Sequence, residues 1–448
     1  MIKVKKGLEL PITGGPRQTI GSAPHIKKVA ILGDDYVGMK PTLLVKVGDT
    51  VQAGTPLFSD KKNEGVIFTA PLAGRVVEIN RGEQRRLLSV VIAVEGSGHV
   101  DFKARPAGSL GGLKSAEIEE TLIKSGAWTS FRTRPYSKVP APGSRPHSVF
   151  VTLMDSNPLA ADVGVVLKDS AEDFKNGLTL IAALCGCRIW VCHSPGLKVD
   201  LPAKGDFKTE AFAGPHPAGL AGTHIHFLDP VGRQKTVWSI NYQDVIGMGR
   251  LFTTGRVQPE RVISLAGPAV KDPVLMRVPL GASTEDLTGS RLQDGENRVI
   301  SGPVLSGHSA AGPVAYLGRY HWQVSVLPEG REREFMGWQA PGWNKFSVKR
   351  VFASDLFGSK KRFPMTTSTG GSIRAIVPVG SYEKVMPLDI EPTYLLRTLF
   401  TQDMEQAQQL GVLELDEDDL GLCTFVCPTK EEYGPMLRRL LTNIEKDG

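Results

Sequence analysis

The sequence predicts a multidomain protein of the mixed α/β class. Short β-branched runs separated by turn residues fill roughly the first hundred residues, a strand–helix–strand pattern stands in the middle, and helix-period patterns occupy the C-terminal end. The chain has 448 residues, 41% of them hydrophobic and 22% charged, so it is long enough for several domains with sizeable cores. The patterns place the domains at residues 1–105, 106–258, 259–312, 313–379 and 380–448.

Composition excludes several classes of protein. The net charge is +6 and no block of Lys and Arg is interleaved with aromatic residues, so nucleic-acid binding is not predicted. The charged N-terminus is not followed by an apolar core, so no secretory signal is predicted. The longest apolar stretch, 177–192, is interrupted by Arg188 and is too short to cross a bilayer. Five cysteines form no even disulfide framework, which favours a reducing, cytoplasmic location.

The N-terminal domain is predicted to be a small β barrel or sandwich, because no helix-period segment lies between its β-branched runs. Gly48 and Gly74 are predicted to occupy tight turns at positive φ. The β-branched runs lie at 29–32, 42–47, 76–79 and 88–94.

Residues 46–57 and 69–79 resemble the two halves of a biotinyl/lipoyl carrier domain, in which Gly-Asp and Ala-Pro-x-x-Gly turns join interlocked strands. A carrier domain presents a modified lysine on the hairpin between these halves. Here the hairpin contains Lys61 and Lys62, is one residue shorter and has no Met-Lys-Met sequence. We therefore predict a structural hairpin without a covalent cofactor.

A strand–helix–strand unit predicts a parallel sheet and a Rossmann-like domain in residues 106–258. A buried strand is predicted at 148–153. The helix that follows is predicted to begin at Ser170, a candidate N-cap, with Asp173 three residues later in a capping-box arrangement. A second strand is predicted at 187–192.

The remaining domains are predicted from shorter patterns. Residues 259–312 are predicted to form a short β module, and residues 313–379, rich in Trp, Gly and Pro, a β-rich segment that returns to pack on the N-terminal part. Residues 380–448 are predicted to be helical. The predicted elements outside the strand–helix–strand unit are a helix that begins at Ser115, a strand at 261–266 and helices at 392–399, 401–410 and 430–444.

The most distinctive stretch of the chain is rich in glycine and contains His216, His224 and His226. Interpreted as a strand, it places His224 and His226 on one face, where all three imidazoles could ligate a metal ion. No fourth ligand of matching spacing is present, so hydrogen bonds that cap the Gly-rich loop are the favoured role. A third interpretation places the histidines, with Arg132 and Arg134, beside a quinone headgroup.

The stretch 213–226, with 154–162 and 241–245, resembles the A-subunit family of the bacterial Na+-translocating NADH:quinone oxidoreductases. The resemblance implies a biotinyl/lipoyl-like β domain, a Rossmann-like α/β domain, a small ubiquitin-like (SLBB) β-grasp domain and a C-terminal helical domain with a degenerate ferredoxin-like motif. Further fragments in the same order extend it over nearly the whole chain, at 1–7, 60–63, 297–302, 385–390 and 413–417.

This resemblance implies a peripheral component on the cytoplasmic face of the bacterial inner membrane. The complex in such bacteria oxidises NADH, reduces ubiquinone and exports Na+. FMN, FAD, riboflavin and Fe–S centres are expected on partner subunits, with no cofactor on this chain. Five other subunits are the expected partners, above all the membrane-embedded B subunit. Ubiquinone contact is expected near Arg132, Arg134, His216, His224 and His226.

Two related redox proteins, the flavin-carrying subunit of complex I and the C subunit of the Rnf complex, hold flavin phosphate in a Gly-rich loop after the first helix. The corresponding stretch here, 126–136, has no Gly-x-Gly, so flavin and nucleotide binding are not expected. Cys423 and Cys427, followed by Pro, resemble the end of a ferredoxin-type run, but a [4Fe–4S] cluster needs four thiolates.

Cys185, Cys187 and Cys192 lie in or beside an apolar strand, where core packing is the expected role. Two rival functions stay open at this point. One is an Rnf-type electron-transfer subunit that binds flavin, NADH and Fe–S, against which the missing glycines and cysteines count. The other is a free-standing acyl- or biotin-carrier protein, against which the sequence of the lysine hairpin counts.

Overall fold

The computed structural model describes residues 1–332, 334–337, 339–377 and 379–447, without the side chains of 357–360. Within those residues, strands and helices of three β-containing units share one large hydrophobic core, and the C-terminal helices have a core of their own. The mixed α/β, multidomain class predicted from the sequence is confirmed.

The N-terminal unit contains two small antiparallel sheets. The predicted runs at 29–32, 76–79 and 88–94 are confirmed as strands. The strands of this part are Ile2–Lys3 (β1), Arg17–Gly21 (β2), Lys28–Leu32 (β3), Pro41–Leu43 (β4), Thr50–Val51 (β5), Pro56–Asp60 (β6), Ile67–Thr69 (β7), Gly74–Arg81 (β8) and Leu87–Val94 (β9). One sheet has the order β3-β9-β8-β5 and the other β4-β6-β7.

Two local predictions for this unit are wrong. The run predicted at 42–47 stops being a strand after Leu43, because the Asp49 carboxylate accepts a hydrogen bond from the Lys46 amide at 2.9 Å and closes a turn. Gly48 does have positive φ, +98°, as predicted, but Gly74 does not. Gly74 lies where β8 meets β9, and a Cβ there would collide with the Ala93 carbonyl, so it permits close strand approach instead.

The second unit is built on a mainly parallel sheet of order β1-β13-β12-β11-β14-β10. Its strands are Arg132–Arg134 (β10), Ser148–Leu153 (β11), Arg188–His193 (β12), Asp206–Ala213 (β13) and Val237–Asn241 (β14). Its helices are Ser115–Lys124 (α1), Val163–Leu167 (α2), Ala171–Cys185 (α3), Ala221–Leu228 (α4) and Tyr242–Thr254 (α5). Strands β11 to β14 pair in parallel and β10 pairs antiparallel with β14, which confirms the predicted strand–helix–strand unit.

The helix predicted at Ser170 is confirmed, but its capping box is not. Ser170 occupies the N-cap position of α3 without a capping hydrogen bond from its side chain. Arg250 of α5 binds both side chains instead. It donates to the Ser170 hydroxyl at 2.9 Å and to the Asp173 carboxylate at 2.7 Å. A tertiary partner therefore replaces the local bonds that the spacing predicted.

The third unit is a sheet of order β18-β17-β19-β15-β16-β2. Its elements are Glu260–Ala266 (β15), Val274–Pro279 (β16), Thr284–Thr288 (α6), Asn297–Ser301 (β17), His308–Ser309 (β18) and Gln323–Pro328 (β19). The strand predicted at 261–266 is confirmed. The N-terminal strands β1 and β2 pair with β13 and β16, so the start of the chain ties the three units together.

The C-terminal unit consists of the helices Pro392–Thr401 (α7), Met404–Gln409 (α8), Gly421–Val426 (α9) and Tyr433–Asp447 (α10). The helices predicted at 392–399 and 430–444 are confirmed, the second from Tyr433 onward. The helix predicted at 401–410 begins only at Met404, because Gln402 adopts a left-handed conformation and Asp403 caps a new helix. Between 329 and 391 the described chain is mostly irregular, apart from a 3₁₀ helix at Ala353–Lys360.

Candidate functional site

His224 and His226 lie on helix α4, so the strand on which the sequence placed them is wrong. Residues two apart on a helix point about 200° away from one another, so the two imidazoles cannot share one metal ion. His224 is fully buried, its Nε2 is 3.0 Å from the Ala218 carbonyl oxygen, and its ring packs 4.3 Å from that of Phe212. Burial lowers its pKa to about 4, so His224 is a neutral ring that caps the loop.

His216 holds the same loop from the other side. The Ser156 hydroxyl accepts a hydrogen bond from the Gly219 amide at 2.8 Å and lies 3.1 Å from His216 Nδ1. Burial lowers the pKa of His216 to about 4, so the neutral ring can accept the Ser156 proton. Loop capping by hydrogen bonds, the role favoured from the sequence, is what the structure shows for His216 and His224.

Arg132 and Arg134 contact the C-terminal unit. Arg132 donates to the Asp416 carboxylate at 2.6 Å, and Arg134 donates to Asp419 at 2.8 Å. Arg438 of α10 donates to the second Asp416 oxygen at 2.9 Å. We call these five residues the arginine–carboxylate cluster. It joins β10 of the second unit to the helices of the C-terminal unit.

Asp416 is the centre of this cluster. Its side chain is only 3% exposed. Although burial acts to raise it, the guanidinium groups of Arg132, Arg134 and Arg438 hold the pKa of Asp416 well below its usual range. The carboxylate is therefore ionised at neutral pH and balances the charge of Arg132. Arg134 also pairs with Asp419, and Arg438 also pairs with Glu417.

His226 makes the same connection as the arginines. The Asp389 amide donates to His226 Nε2 at 2.9 Å, which leaves the ring proton on Nδ1. That proton faces the Glu414 carboxylate, 2.8 Å away. Three of the five candidate residues thus bind the C-terminal unit, whereas His216 and His224 cap a loop of the second unit.

A second buried charge network, which the sequence patterns did not predict, surrounds Arg319. The Arg319 guanidinium donates to the Ser130 hydroxyl at 2.8 Å and lies 3.0 Å from the Asp244 carboxylate. Its backbone amide donates to the Asp35 carboxylate at 2.7 Å. One residue therefore links the first, second and third units. The only sequence signal was a basic and aromatic run, 319–322, in an otherwise irregular stretch.

A cavity of about 80 Å³ lies beside Arg319, where the first and second units meet. Gly126, φ +77°, borders it, and the 3₁₀ helix Ala127–Ser130 follows. Its Trp128 is fully buried and donates to the Pro140 carbonyl at 2.8 Å. The place expected for a phosphate loop in the related redox proteins is thus filled by a buried aromatic side chain.

We predict that Asp35 makes the stability depend on pH. Burial, opposed by Arg319, raises the pKa of Asp35 from 3.8 to about 7. Between these values the folded state binds more protons than the unfolded state, so this stabilisation is complete below about pH 4 and is lost as the pH rises to 7. In urea unfolding, we compare the free energy of unfolding of Asp35→Asn with that of the parent protein. The difference should shift by about 2–4 kcal/mol in favour of the variant from pH 4.5 to pH 7.5. An identical difference at both pH values would contradict the assignment.

The five cysteines differ in environment, and we predict that Cys187 is alkylated first. The thiol of Cys185 hydrogen-bonds to the partly buried Cys187 and lowers its pKa. Burial raises the pKa of Cys192, and that of Cys423 to about 12. Because the thiolate is the nucleophile, iodoacetamide followed by peptide mass spectrometry should modify Cys192 and Cys423 at least about tenfold more slowly. Equal rates would overturn this order; urea-unfolded protein is the control.

The lysine hairpin between β6 and β7 is tied to the second unit. The side-chain amide of Asn63 donates to the Val139 carbonyl at 2.9 Å. The Lys62 amide donates to the Asp60 carboxylate at 2.9 Å. Asn63 therefore fixes the hairpin to the second unit, and the structural role of Lys61 and Lys62 stays a prediction.

Two findings concern the described residues as a whole. No set of three or more His, Cys, Asp and Glu side chains among them is placed to hold a metal ion. None of the helices they form is long and apolar enough to cross a membrane.

Comparison with known proteins covers the chain from end to end. Residues 2–95 match the NqrA N-terminal barrel-sandwich hybrid domain, 113–257 the NqrA second alpha/beta domain and 262–312 the NQRA C-terminal domain. Over 448 residues, with 100% of both chains covered, the sequence is 56% identical to the A subunit of the Na(+)-translocating NADH-quinone reductase of Cellvibrio japonicus and 56% identical to that of Aliivibrio salmonicida. A chain of an NAD+-reducing [NiFe]-hydrogenase is similar over 52% of both chains, at 14% identity and a TM-score of 0.36, which is too low to assign a shared fold. By its full-length identity to these relatives, the chain belongs to the family of Na(+)-translocating NADH-quinone reductase A subunits.

Proposed function

We propose that the chain is the A subunit of a Na+-translocating NADH:ubiquinone oxidoreductase, a complex that couples NADH oxidation and quinone reduction to Na+ export. The observation that carries this proposal is the 56% identity to named A subunits over the whole of both chains. The proposed location is the cytoplasmic face of the bacterial inner membrane, with five other subunits as partners and the membrane-embedded B subunit as the docking partner.

Within that complex, we propose that the chain is a scaffold. The contacts of the candidate residues support this role, because Arg132, Arg134 and His226 are engaged in joining the second unit to the C-terminal unit. Buried ion pairs of this kind fix the relative placement of units. The parallel order of β11 to β14 supports the Rossmann-like assignment of the second unit. The two antiparallel sheets of the first unit, between which the chain alternates, support the biotinyl/lipoyl-like one.

FMN, FAD, riboflavin and Fe–S centres are proposed to reside on partner subunits. The surroundings of Cys427 support this for Fe–S, because its sulfur is hydrogen-bonded to Thr429 at 2.9 Å, Tyr382 at 3.2 Å and Tyr433 at 3.3 Å. A visible absorption spectrum of the purified chain tests the proposal. A flavin or Fe–S band at stoichiometric intensity would instead support the Rnf-type electron-transfer function.

Quinone contact by this chain is a separate proposal, which places Arg132, Arg134, His216, His224 and His226 near the headgroup. Its support is Arg132, which is 25% exposed and whose buried Nε has no hydrogen-bond partner in the described part of the chain. That donor suits a carbonyl oxygen. Alanine substitution at Arg132, His216 and His224 should slow quinone reduction by the assembled complex; unchanged kinetics would remove the proposal.

Deletion of the gene for this chain tests the proposed function itself. Membranes of the deletion strain should lose Na+-stimulated NADH:ubiquinone reductase activity, and expression of the intact chain should restore it. A complementing chain with the exposed pair Arg17→Met and Asp272→Asn serves as a matched control, because both side chains are more than half exposed and contact one another. Full Na+-stimulated activity without this chain would refute the assignment.

A further inference from the structure

Residues 331–379, which we call the basic segment, carry the net charge of the protein. The segment contains nine Lys and Arg residues against three Asp and Glu, a net charge of +6 that equals the net charge of the whole chain. The other 399 residues are therefore electrically balanced. A charge concentrated in about a ninth of the sequence marks a surface that meets a negatively charged partner.

The basic segment also exposes large apolar side chains. Phe335 is 91% exposed, Leu356 80%, Ile373 71% and Val351 68%, and Trp343 is 53% exposed. Of the fifteen large hydrophobic residues that are exposed in the described part of the chain, eight belong to this segment. Scattered apolar residues are ordinary on a protein surface, but such a concentration is typical of a surface that another molecule covers.

Backbone hydrogen bonds fix the basic segment to the rest of the chain at separate points, so the segment lies on the surface of the folded protein. Phe363 pairs with the first residues of the chain: its amide donates to the Pro11 carbonyl at 2.7 Å, and its carbonyl accepts from the Thr13 amide at 3.0 Å. The Arg374 amide donates to the Thr429 carbonyl at 3.1 Å. The exposed apolar residues lie in the lengths of chain around these anchors.

The irregular backbone decides between a lipid and a protein partner. Apart from the 3₁₀ helix Ala353–Lys360, the described residues of the segment form neither helix nor strand. Hydrocarbon cannot satisfy the amide and carbonyl groups of irregular chain, whereas a protein surface can hydrogen-bond to them. Apolar residues on such a backbone therefore suit a protein partner better than the interior of a bilayer.

We propose that the basic segment is the docking surface of this chain for a protein partner whose facing surface is apolar at its centre and acidic at its rim. The inference rests on the proposed function, because the partner it implies is another component of the membrane complex. The cationic residues steer association and the exposed apolar residues form the buried centre of the interface.

Hydrogen–deuterium exchange on the isolated chain and on the assembled complex tests this proposal. Peptides from 339–377 should exchange at least about tenfold more slowly in the complex, while peptides around the exposed Phe227 and Tyr394 should not change. Unchanged exchange in 339–377 would overturn the proposal. Phosphatidylglycerol vesicles are the third sample: if they protect 339–377 and the complex does not, the surface binds lipid and the protein-partner proposal is wrong.

Substitutions give a second, independent measurement. Lys349→Glu with Arg350→Glu reverses two exposed charges of the segment, and Lys103→Glu with Lys204→Glu is the matched control elsewhere on the surface. The first pair should leave the melting temperature unchanged and reduce co-purification with the complex at least about tenfold, whereas the control should co-purify normally. Normal co-purification of the first pair would contradict the proposal. If the parent chain itself fails to co-purify with the complex, the proposed function fails instead.

Discussion

Replacing Asp416 by alanine should destabilise the attachment of the C-terminal unit by about 3–5 kcal/mol, since the buried Arg132 loses its counter-charge. Arg134 and Arg438 each lose one of the two carboxylates that they face. Arg132 and Arg438 both donate to this carboxylate, and Arg134 lies 3.5 Å from it. Because the C-terminal helices have their own hydrophobic core, their detachment should show as an early transition in urea unfolding monitored by hydrogen exchange. The result should be faster exchange in α9 and α10 before the rest of the chain unfolds.

The control for this prediction is Glu296→Gln. Glu296 also pairs with an arginine, Arg331, but both side chains are largely exposed, so its removal should change the free energy of unfolding by less than about 1 kcal/mol. Equal effects of Asp416→Ala and Glu296→Gln would show that the arginine–carboxylate cluster does not hold the C-terminal unit.

Replacing Arg319 by methionine should destabilise the packing of the other three units against one another by a comparable amount. The methionine fills much of the volume but removes the cation that pairs with Asp244 and that acts most strongly on Asp35. We expect a loss of about 3–5 kcal/mol in the free energy of unfolding. The loss should be smaller at pH 5 than at pH 8, because Asp35 is protonated at the lower pH and no longer needs a counter-charge.

Arg298→Met is the matched control for Arg319→Met. Arg298 pairs with Glu329 at 2.7 Å, but its side chain is 44% exposed, so water can replace the lost contact. A loss of more than about 1 kcal/mol from the control, or a pH-independent loss from Arg319→Met, would contradict the role assigned to Arg319.

Sequence patterns predicted the elements that depend on local chemistry. Helix α3 follows from its apolar period and ends at Gly186, whose φ of +60° only glycine adopts readily. Strands β11 and β12 follow from continuous apolar runs, which are typical of a buried parallel sheet. The two ends of the C-terminal unit, α7 and α10, follow from their helical period.

Errors arose where tertiary contacts override local pattern. Thr223-His224-Ile225-His226 alternates like a strand, yet it forms α4. The helix packs against the C-terminal unit at Gly222, where a Cβ would collide with the Asp419 carboxylate. No local pattern indicates that contact, since the two residues are about two hundred positions apart.

The candidate site shows the same limit. Arg132 and Arg134 lie in the stretch that replaces the Gly-rich loop of the related redox proteins, and the sequence interpretation placed them beside a quinone. The partner the structure gives Arg132 is an internal carboxylate, Asp416, 284 positions away, and no pattern within either segment predicts the pairing. Arg319 was missed for the same reason, because its importance comes only from the units that meet around it.

Affinity purification of the tagged chain from detergent-solubilised native membranes tests its membership of the membrane complex. We expect a membrane-embedded complex to accompany the chain, and the purified material to reduce ubiquinone with NADH at a rate stimulated by Na+. Purification of the chain alone, without partners and without this activity, would contradict that membership.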